Sequence, residues 1–441
     1  MHKYLIKLSL INIIKLKIKM DIEENSPNIQ NNQINQNQPQ NNKQSGNNNT
    51  NNTNNVNNNP QFQQTQKIVL DPKATEMLKK YEKNLPTKEY TYNEEILHLP
   101  LRYKPGEIIG IGAYGIIISA IDTQNNNQVV AIKKLKRISD IIDLKRIARE
   151  ILIMKYCQHE NIVPLLDVII HYNKDEKMNK IADVYLVMEK MDSDLQKIIA
   201  SKQELSDEHY QFILYQVLRA LYFLHSANII HRDFKPSNVL INEDCTVKLC
   251  DFGMSRGIKE ENILLTEYVV TRYYRAPEVM LSSHHYTKKI DVWSVGCTFA
   301  ELLNKKFMFP GDNYIAQIKL IIDTLGTQDI KDLDFISNSS AKNFVMQFQN
   351  IPKKKFKDIL KSENPLAVDL VEKMLVFNPD KRYSIEDCLN HPYLKNMREG
   401  IEDPVFNGKL NLEFDDKNVT FSLFFVFLVK EVSSFPTGLI V

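Results

Sequence analysis

Two polar segments set the terms on which this chain can fold: His231-Arg232-Asp233-Phe234-Lys235-Pro236-Ser237-Asn238 and Asp251-Phe252-Gly253. Asp233 is a carboxylate able to accept or orient a hydroxyl proton. Lys235 can offset charge on a phosphate in transit. Asn238 brings a neutral amide oxygen suited to Mg2+, and Asp251 a carboxylate for the same metal ions. A chance loop does not carry this spacing together with the second motif. A fold that uses these groups must bring side chains far apart in sequence into one seam.

A second pair of segments supplies the other wall of that seam. Gly110-Ile111-Gly112-Ala113-Tyr114-Gly115 is weak evidence alone, because dinucleotide-binding folds share the spelling. Here Ile116–Ala120 continues as strand rather than helix, so the glycines form a hairpin tip whose backbone N–H groups can lie over phosphates. A plain structural turn is the competing reading. Val130-Ala131-Ile132-Lys133 follows one strand later. The Lys133 ammonium can pair α- and β-phosphates if a carboxylate holds it, and Glu150 in the next helix is the candidate. Period-2 alternation turns Lys134 outward.

Between Asp251-Phe252-Gly253 and Ala276-Pro277-Glu278 lies Thr266-Glu267-Tyr268. A hydroxyl and a phenol two positions apart suggest a switch that needs two phosphates, each adding roughly −1.5 to −2 charges.

The 441 residues suffice for one two-lobed domain with extensions. A net charge of +2 argues against a general polyanion binder. Five scattered cysteines with no C-x-x-C pair fit a reducing compartment and read as unpaired, mostly buried thiols. Cys250 borders the expected nucleotide site and reads as a small apolar filler. Residues 1–20 alternate Leu and Ile with Lys. A basic amphipathic membrane helix fits this pattern. The preferred reading is an over-extended gene model at 1–19, with Met20 as the start. Residues 1–66 form an extension whose Asn/Gln-rich stretch cannot offset chain entropy and reads as disordered. Residues 67–100 are a transition, with a short helix over Lys73–Asn84. Residues 101–191 carry β-rich runs (Glu107–Ile109, Ile116–Ile121, Val129–Lys133, Val184–Glu189) and one helix, Asp143–Tyr156. Residues 192–394 are mainly helical, as at Asp207–His225, Asp291–Leu303 and Ala316–Leu325. Residues 395–441 are a tail. Its apolar Phe421–Val429 is too short to span a membrane; packing on the domain and translated intron sequence remain open readings.

From about Leu101 to Leu394 the chain resembles a eukaryotic protein kinase, and within that family a mitogen-activated protein kinase. Subfamily marks are Met191-Asp192-Ser193-Asp194-Leu195, the Thr-Glu-Tyr triplet, Thr271-Arg272-Tyr273-Tyr274-Arg275-Ala276-Pro277-Glu278, Asn378-Pro379-Asp380-Lys381-Arg382 and His391-Pro392-Tyr393-Leu394. Phe234 stands where the family usually has Leu, a packing change. Thr-Glu-Tyr is typical of the extracellular-signal-regulated branch, while the short approach to Thr266 and Val269–Tyr274 look closer to the stress-activated branch; the branch stays open.

The resemblance implies an α+β, bilobal protein-kinase fold: a small antiparallel β-rich N-lobe with one main helix and a larger, mainly α-helical C-lobe. It implies a Ser/Thr kinase that uses ATP and Mg2+, directed to Ser/Thr-Pro sites and activated on Thr266 and Tyr268. The implied catalytic residues are Asp233, Lys235, Lys133, Glu150, Asn238, Asp251 and Thr271. Asn238 and Asp251 would hold the metal. ATP would meet Gly110, Gly112, Ala113, Tyr114, Gly115, Ile117, Ala131, Lys133, Met188 as gatekeeper, Glu189, Met191 and Asp194. Arg146, Arg149, Arg232 and Arg256 would receive phosphothreonine. They would thereby move the helix so that Glu150 reaches Lys133. Arg272 and Arg275 would receive phosphotyrosine. Glu399, Glu402 and Asp403 would dock Lys/Arg-rich peptides; a solvated acidic turn is the plainer reading. Glu278 would pair with Arg382, and Asp291 would hold the catalytic-loop backbone. Expected partners are an upstream dual-specificity kinase, protein substrates and phosphatases, with no nucleic acid, no stable membrane insertion and a monomeric state. Cytoplasm with access to the nucleus is the expected location. The competing functions are a pseudokinase scaffold, disfavoured because Lys133, Asp233, Asn238 and Asp251 are all present, and a cyclin-dependent-type kinase.

Overall fold

The computed structural model describes residues 70–112, 115–135, 138, 140–172, 182–257, 272–282, 287–408, 410, 412, 414 and 419–440. The readings made for residues 1–66, and for Ala113, Tyr114, Thr266, Tyr268 and Thr271, lie outside them.

The first lobe is built on a seven-stranded sheet. Its strands are β1 (Glu82–Lys83), β4 (Tyr103–Gly112), β5 (Gly115–Asp122), β6 (Gln128–Lys134), β7 (Leu165–Tyr172), β8 (Ala182–Glu189) and, from the tail, β11 (Gly438–Ile440). The order is β1-β11-β7-β8-β6-β5-β4. The five strands from β4 to β8 pair antiparallel, as expected. The far edge is mixed, because β11 runs parallel to both β7 and β1. An uncovered β7 would leave a row of N–H and C=O groups unpaired, and the tail strand satisfies them. A separate hairpin, β2 (Thr87–Tyr92) and β3 (Glu95–Pro100), lies within the supposed transition. Its Leu97 and Leu99 are buried in a cluster with Ile169, Tyr185 and Val187.

Helix α1 (Pro72–Leu78) is capped by Asp71, whose carboxylate accepts from Ala74 N at 2.8 Å. It is shorter than Lys73–Asn84 because a 3-10 turn over Lys79–Tyr81 leads into β1. Helix α2 (Ile141–Tyr156) begins at Asp140, which accepts from Asp143 N. Leu144, Ile147, Ala148 and Ile151 form its buried stripe.

The second lobe contains α3 (Leu195–Ala200), α4 (Asp207–Ser226), α5 (Lys289–Asn304), α6 (Tyr314–Leu325) and α7 (Pro365–Met374). Helix α5 is buried on all sides, Trp293 completely. The short strands β9 (Val239–Ile241) and β10 (Val247–Leu249) pair with each other, β10 lying against α4, with Ser193–Asp194 against β9.

The tail belongs to the fold. Helix α8 (Phe421–Val432) buries Phe424, Phe425, Leu428 and Val429 in the main core, which also holds α2 and Leu78 of α1. Lys155 Nζ and Tyr156 OH on α2 reach Glu431 Oε2 at 3.1 and 2.9 Å. Thr437 donates from its N and Oγ1 to the buried Asp167 carboxylate on β7. Among the described residues, no helix is long and apolar enough to cross a membrane.

Candidate active site

The catalytic loop is held from behind. Asp291, at the start of α5, accepts from His231 N at 2.9 Å, from Arg232 N at 3.0 Å and contacts His225 Nε2 at 2.8 Å. Burial works to raise this carboxyl, but the His225 hydrogen bond and nearby charge outweigh it and hold it below the usual range. Arg232 and Asp251 adopt left-handed backbone, with φ of 68° and 65°. Such conformations cost about 1–3 kcal/mol each and persist where surroundings over-determine them. For Arg232 the Asp291 bonds do so. For Asp251 the anchor is Phe252, fully buried with its ring 5.3 Å from that of His231. Phe234 is buried edge-on to the same imidazole, so its bulk is absorbed in packing.

The polar groups meet in front. Lys133 Nζ on β6 lies 2.7 Å from Glu150 Oε1 on α2 and 3.3 Å from Asp251 Oδ1. Burial alone would discharge Lys133; Asp251 and Glu150 overcome it and push its pKa above the ordinary value. Asp251 stays below the usual carboxylate range, because Lys133, Lys235 and His231 outweigh its burial. Asp233 accepts from Lys235 Nζ at 2.8 Å. Burial raises the Asp233 carboxyl, and Lys235 only partly opposes this. Asn238 Nδ2 donates to Asp233 O at 2.8 Å, which fixes the amide and leaves its oxygen as the available ligand. A hard carboxylate and an amide oxygen fit Mg2+. The pairing of Glu150 with Lys133 is already made in this structure. The pair that phosphothreonine contacts were expected to help form is thus present here, and α8 packs against α2 and holds its end through Glu431.

The residues expected to meet the nucleotide fall on the facing strands and the segment after them. Gly112 pairs with Gly115 at the end of the β4–β5 hairpin. A Cβ on Gly115, whose φ is 135°, would sit 1.9 Å from Lys134 O, so only glycine fits there. Gly110 and Ile117 pair across the hairpin, and Ile117 pairs in turn with Lys133. Ala131 on β6 faces Met188 on β8, and both are buried, as is Met191. Glu189 pairs with Lys248 at 3.1 Å. The Asp194 carboxylate caps α3 by accepting from Lys197 N. Cys250 lies at the site, and burial together with Asp251 pushes its thiol up, as suits a filler. Lys134 does turn to the opposite face from Lys133, but not into water: it is 7% exposed and donates to Glu95 and Ile96 O of β3.

The remaining assigned residues divide. Arg146 is half-buried on α2, 3.5 Å from Asp143, and its Cγ lies 3.6 Å from the Cβ position of Gly253. Arg149 is buried, and Arg256 donates to Ser255 O. Arg272 donates to Asp312 O and Arg275 to Tyr314 OH, both guanidiniums lying over the Tyr314 ring. Tyr314 carries no sequence signal that would have singled it out. Glu399 and Glu402 are exposed. Asp403 corrects the docking assignment, because its side chain is 3% exposed between Arg219 Nε at 3.1 Å and Arg398 Nε at 3.2 Å. It is taken up by these two partly buried guanidiniums rather than offering charge to a peptide. Glu278 and Arg382 form a two-pronged pair at 2.6 and 2.9 Å, both side chains fully buried.

A buried lysine–glutamate pair facing a loop aspartate across the Asp-Phe-Gly carboxylate is the arrangement of a protein kinase, and the description "Protein kinase domain" matches residues 103–394. The chain belongs to that family and, within it, to the mitogen-activated protein kinases. It is 44% identical to Mitogen-activated protein kinase 3 of Arabidopsis thaliana over 324 residues, covering 73% of this chain and 86% of the relative. It is 44% identical to Mitogen-activated protein kinase 1 of Oryza sativa subsp. japonica over 329 residues, covering 74% and 81%. It is 46% identical to Extracellular signal-regulated kinase 1 of Dictyostelium discoideum over 319 residues, covering 72% and 59%. It is a protein serine/threonine kinase.

Proposed function

We propose that this kinase transfers the ATP γ-phosphate to Ser or Thr followed by Pro, and that phosphorylation of both Thr266 and Tyr268 switches it on. The convergence of Lys133, Glu150, Asp251, Asn238, Asp233 and Lys235 carries the transfer part of this reading. Asp251 and Asn238 would hold Mg2+, which would neutralise charge on the nucleotide phosphates. Lys133 fixes the nucleotide phosphates. Asp233 orients the incoming hydroxyl and takes its proton, a role suited to a carboxyl raised by burial. Lys235, now on Asp233, is close enough to exchange that carboxylate for the transferring phosphate. Arg146 beside Gly253 supports a phosphate-dependent grip on the segment that follows. Arg272 and Arg275 directly precede Ala276-Pro277-Glu278, where a short helix begins, which supports a role in reading the residue after the target hydroxyl. An upstream dual-specificity kinase, phosphatases and basic docking peptides follow from this regulation, with Glu399 and Glu402 as the acidic contacts.

The test is an activity assay before and after treatment with an activating dual-specificity kinase, on peptides that differ only in Pro or Ala after the target. Strong activation, preference for Pro and loss of activation in Thr266→Ala with Tyr268→Phe are expected. Full activation of that variant would show that the switch lies elsewhere.

A further inference from the structure

We propose that His98, His171 and Asp183 form a binding site for a divalent transition ion, Zn2+ foremost, which staples the β2–β3 hairpin to the outer face of the sheet. The ligand-capable atoms of the three side chains all lie within 4.8 Å of one another. Sheet geometry puts them there. His171 on β7 stands directly opposite Asp183 on β8 in the antiparallel register, so both project from the same face. Tyr185, two residues along β8, shares that face, and its hydroxyl accepts from His98 N at 2.9 Å. That bond fixes β3 over the β7–β8 pair and delivers the third ligand. The His98 and His171 rings lie 4.4 Å apart with 15° between their planes.

The chemistry is specific. Two imidazoles and one carboxylate suit Zn2+ rather than Mg2+ or Ca2+, which take oxygen ligands. Zinc–ligand bonds of about 2.0–2.2 Å in tetrahedral geometry set ligand atoms about 3.3–3.6 Å apart. The existing separations therefore need closing by little more than about 1 Å, within reach of side-chain rotation. Glu89, the cross-strand partner of His98, puts Oε1 3.5 Å from His98 Nδ1. A carboxylate on a ligand histidine orients the ring and raises its basicity. Asp183 is buried, and Lys134 Nζ lies 3.8 Å from it. Lys134 is itself held by Glu95 Oε2 and Ile96 O at 2.8 and 2.7 Å, so an ion entering at Asp183 does not leave the ammonium unpaired. The site is on the opposite face of β6 from Lys133, so it is separate from the nucleotide seam.

The experiment uses the full chain, stripped with a chelator and saturated with Mg2+ and ATP so that the nucleotide site cannot take the added metal. Zn2+ is titrated against a chromophoric chelator, and Co2+ is added as a spectroscopic stand-in. One equivalent of Zn2+, a Co2+ spectrum of nitrogen–oxygen ligation and slower amide exchange in β2 and β3 are expected. Glu89→Gln should weaken binding roughly tenfold. His171→Gln and Asp183→Asn, checked for folding by their thermal transitions, should weaken it further. The proposal is overturned if unaltered protein takes up no stoichiometric zinc, if Co2+ shows a thiolate charge-transfer band, or if affinity survives both ligand substitutions. Because the wild-type spectrum decides the ligand type by itself, a variant that fails to fold does not rescue the idea.

Discussion

Phe425→Ala tests whether the tail is a working part of the kinase. Phe425 is 0% exposed on α8, with Tyr172 of β7 and Phe421 each 6.2 Å away by ring centroid. Truncating a fully buried Phe removes its transfer free energy and leaves a cavity, together about 3–5 kcal/mol. Leu423, on the same helix but 50% exposed, is the internal control, and its change to Ala should stay within about 0.5 kcal/mol. Urea denaturation followed by fluorescence of Trp293, the protein's single Trp, gives both values. Because α8 holds the end of α2 through Glu431, the Phe425 variant should also lose catalytic rate at saturating ATP through a looser Lys133–Glu150 pair. A loss under about 1 kcal/mol, or equal effects at both positions, would refute the docked tail.

Two further outcomes follow from buried charge. Glu278→Gln leaves the fully buried Arg382 guanidinium without its carboxylate, although Val376 O, Lys289 O and Phe377 O still accept from it. A loss of about 3–5 kcal/mol is expected. Adding Arg382→Met should recover part of it, whereas a purely additive double variant would contradict the pairing. Glu301 is pushed up to about 7 by burial, against the opposing Tyr274 hydrogen bond at 2.7 Å. The folded protein thus favours its neutral form. Its contribution to stability is complete below the ordinary value of 4.5, falls as pH rises toward 7, and is flat beyond. The whole decline is at most about 3 kcal/mol. Glu301→Gln should remove that slope from denaturation curves taken across this range, and an unchanged slope would sink the assignment.

The site was legible because its chemistry is written in short contiguous motifs. Lys133, Glu150, Asp251 and Asp233 come from four segments, yet each carries its own local signature. The Asp291 and Arg382 anchors were equally readable by matching position. What escaped was pairing without local pattern. Strand β11 is three residues long, and nothing around Gly438 announces that it joins β7. The β2–β3 hairpin alternates apolar and polar residues only over Tyr90-Thr91-Tyr92 and Leu97-His98-Leu99, too briefly to stand out from a linker. Lys134 was placed on the correct face, but its cover comes from that unseen hairpin. Asp403 shows the converse limit: an acidic run looks solvent-facing until Arg219, distant in sequence, is found against it. The apolar Phe421–Val429 stretch declared a need for burial without naming its partner, α2.

The most direct test of the central claim compares doubly phosphorylated protein with its Asp233→Ala variant, measuring Mg-ATP binding and phosphate transfer to a Ser-Pro peptide. Unaltered protein should label the peptide. The variant should keep nucleotide affinity within a few-fold but lose roughly 10²–10⁴ in turnover. Turnover retained without the Asp233 carboxylate, or nucleotide bound by the unaltered protein with no peptide ever labelled, would contradict the account.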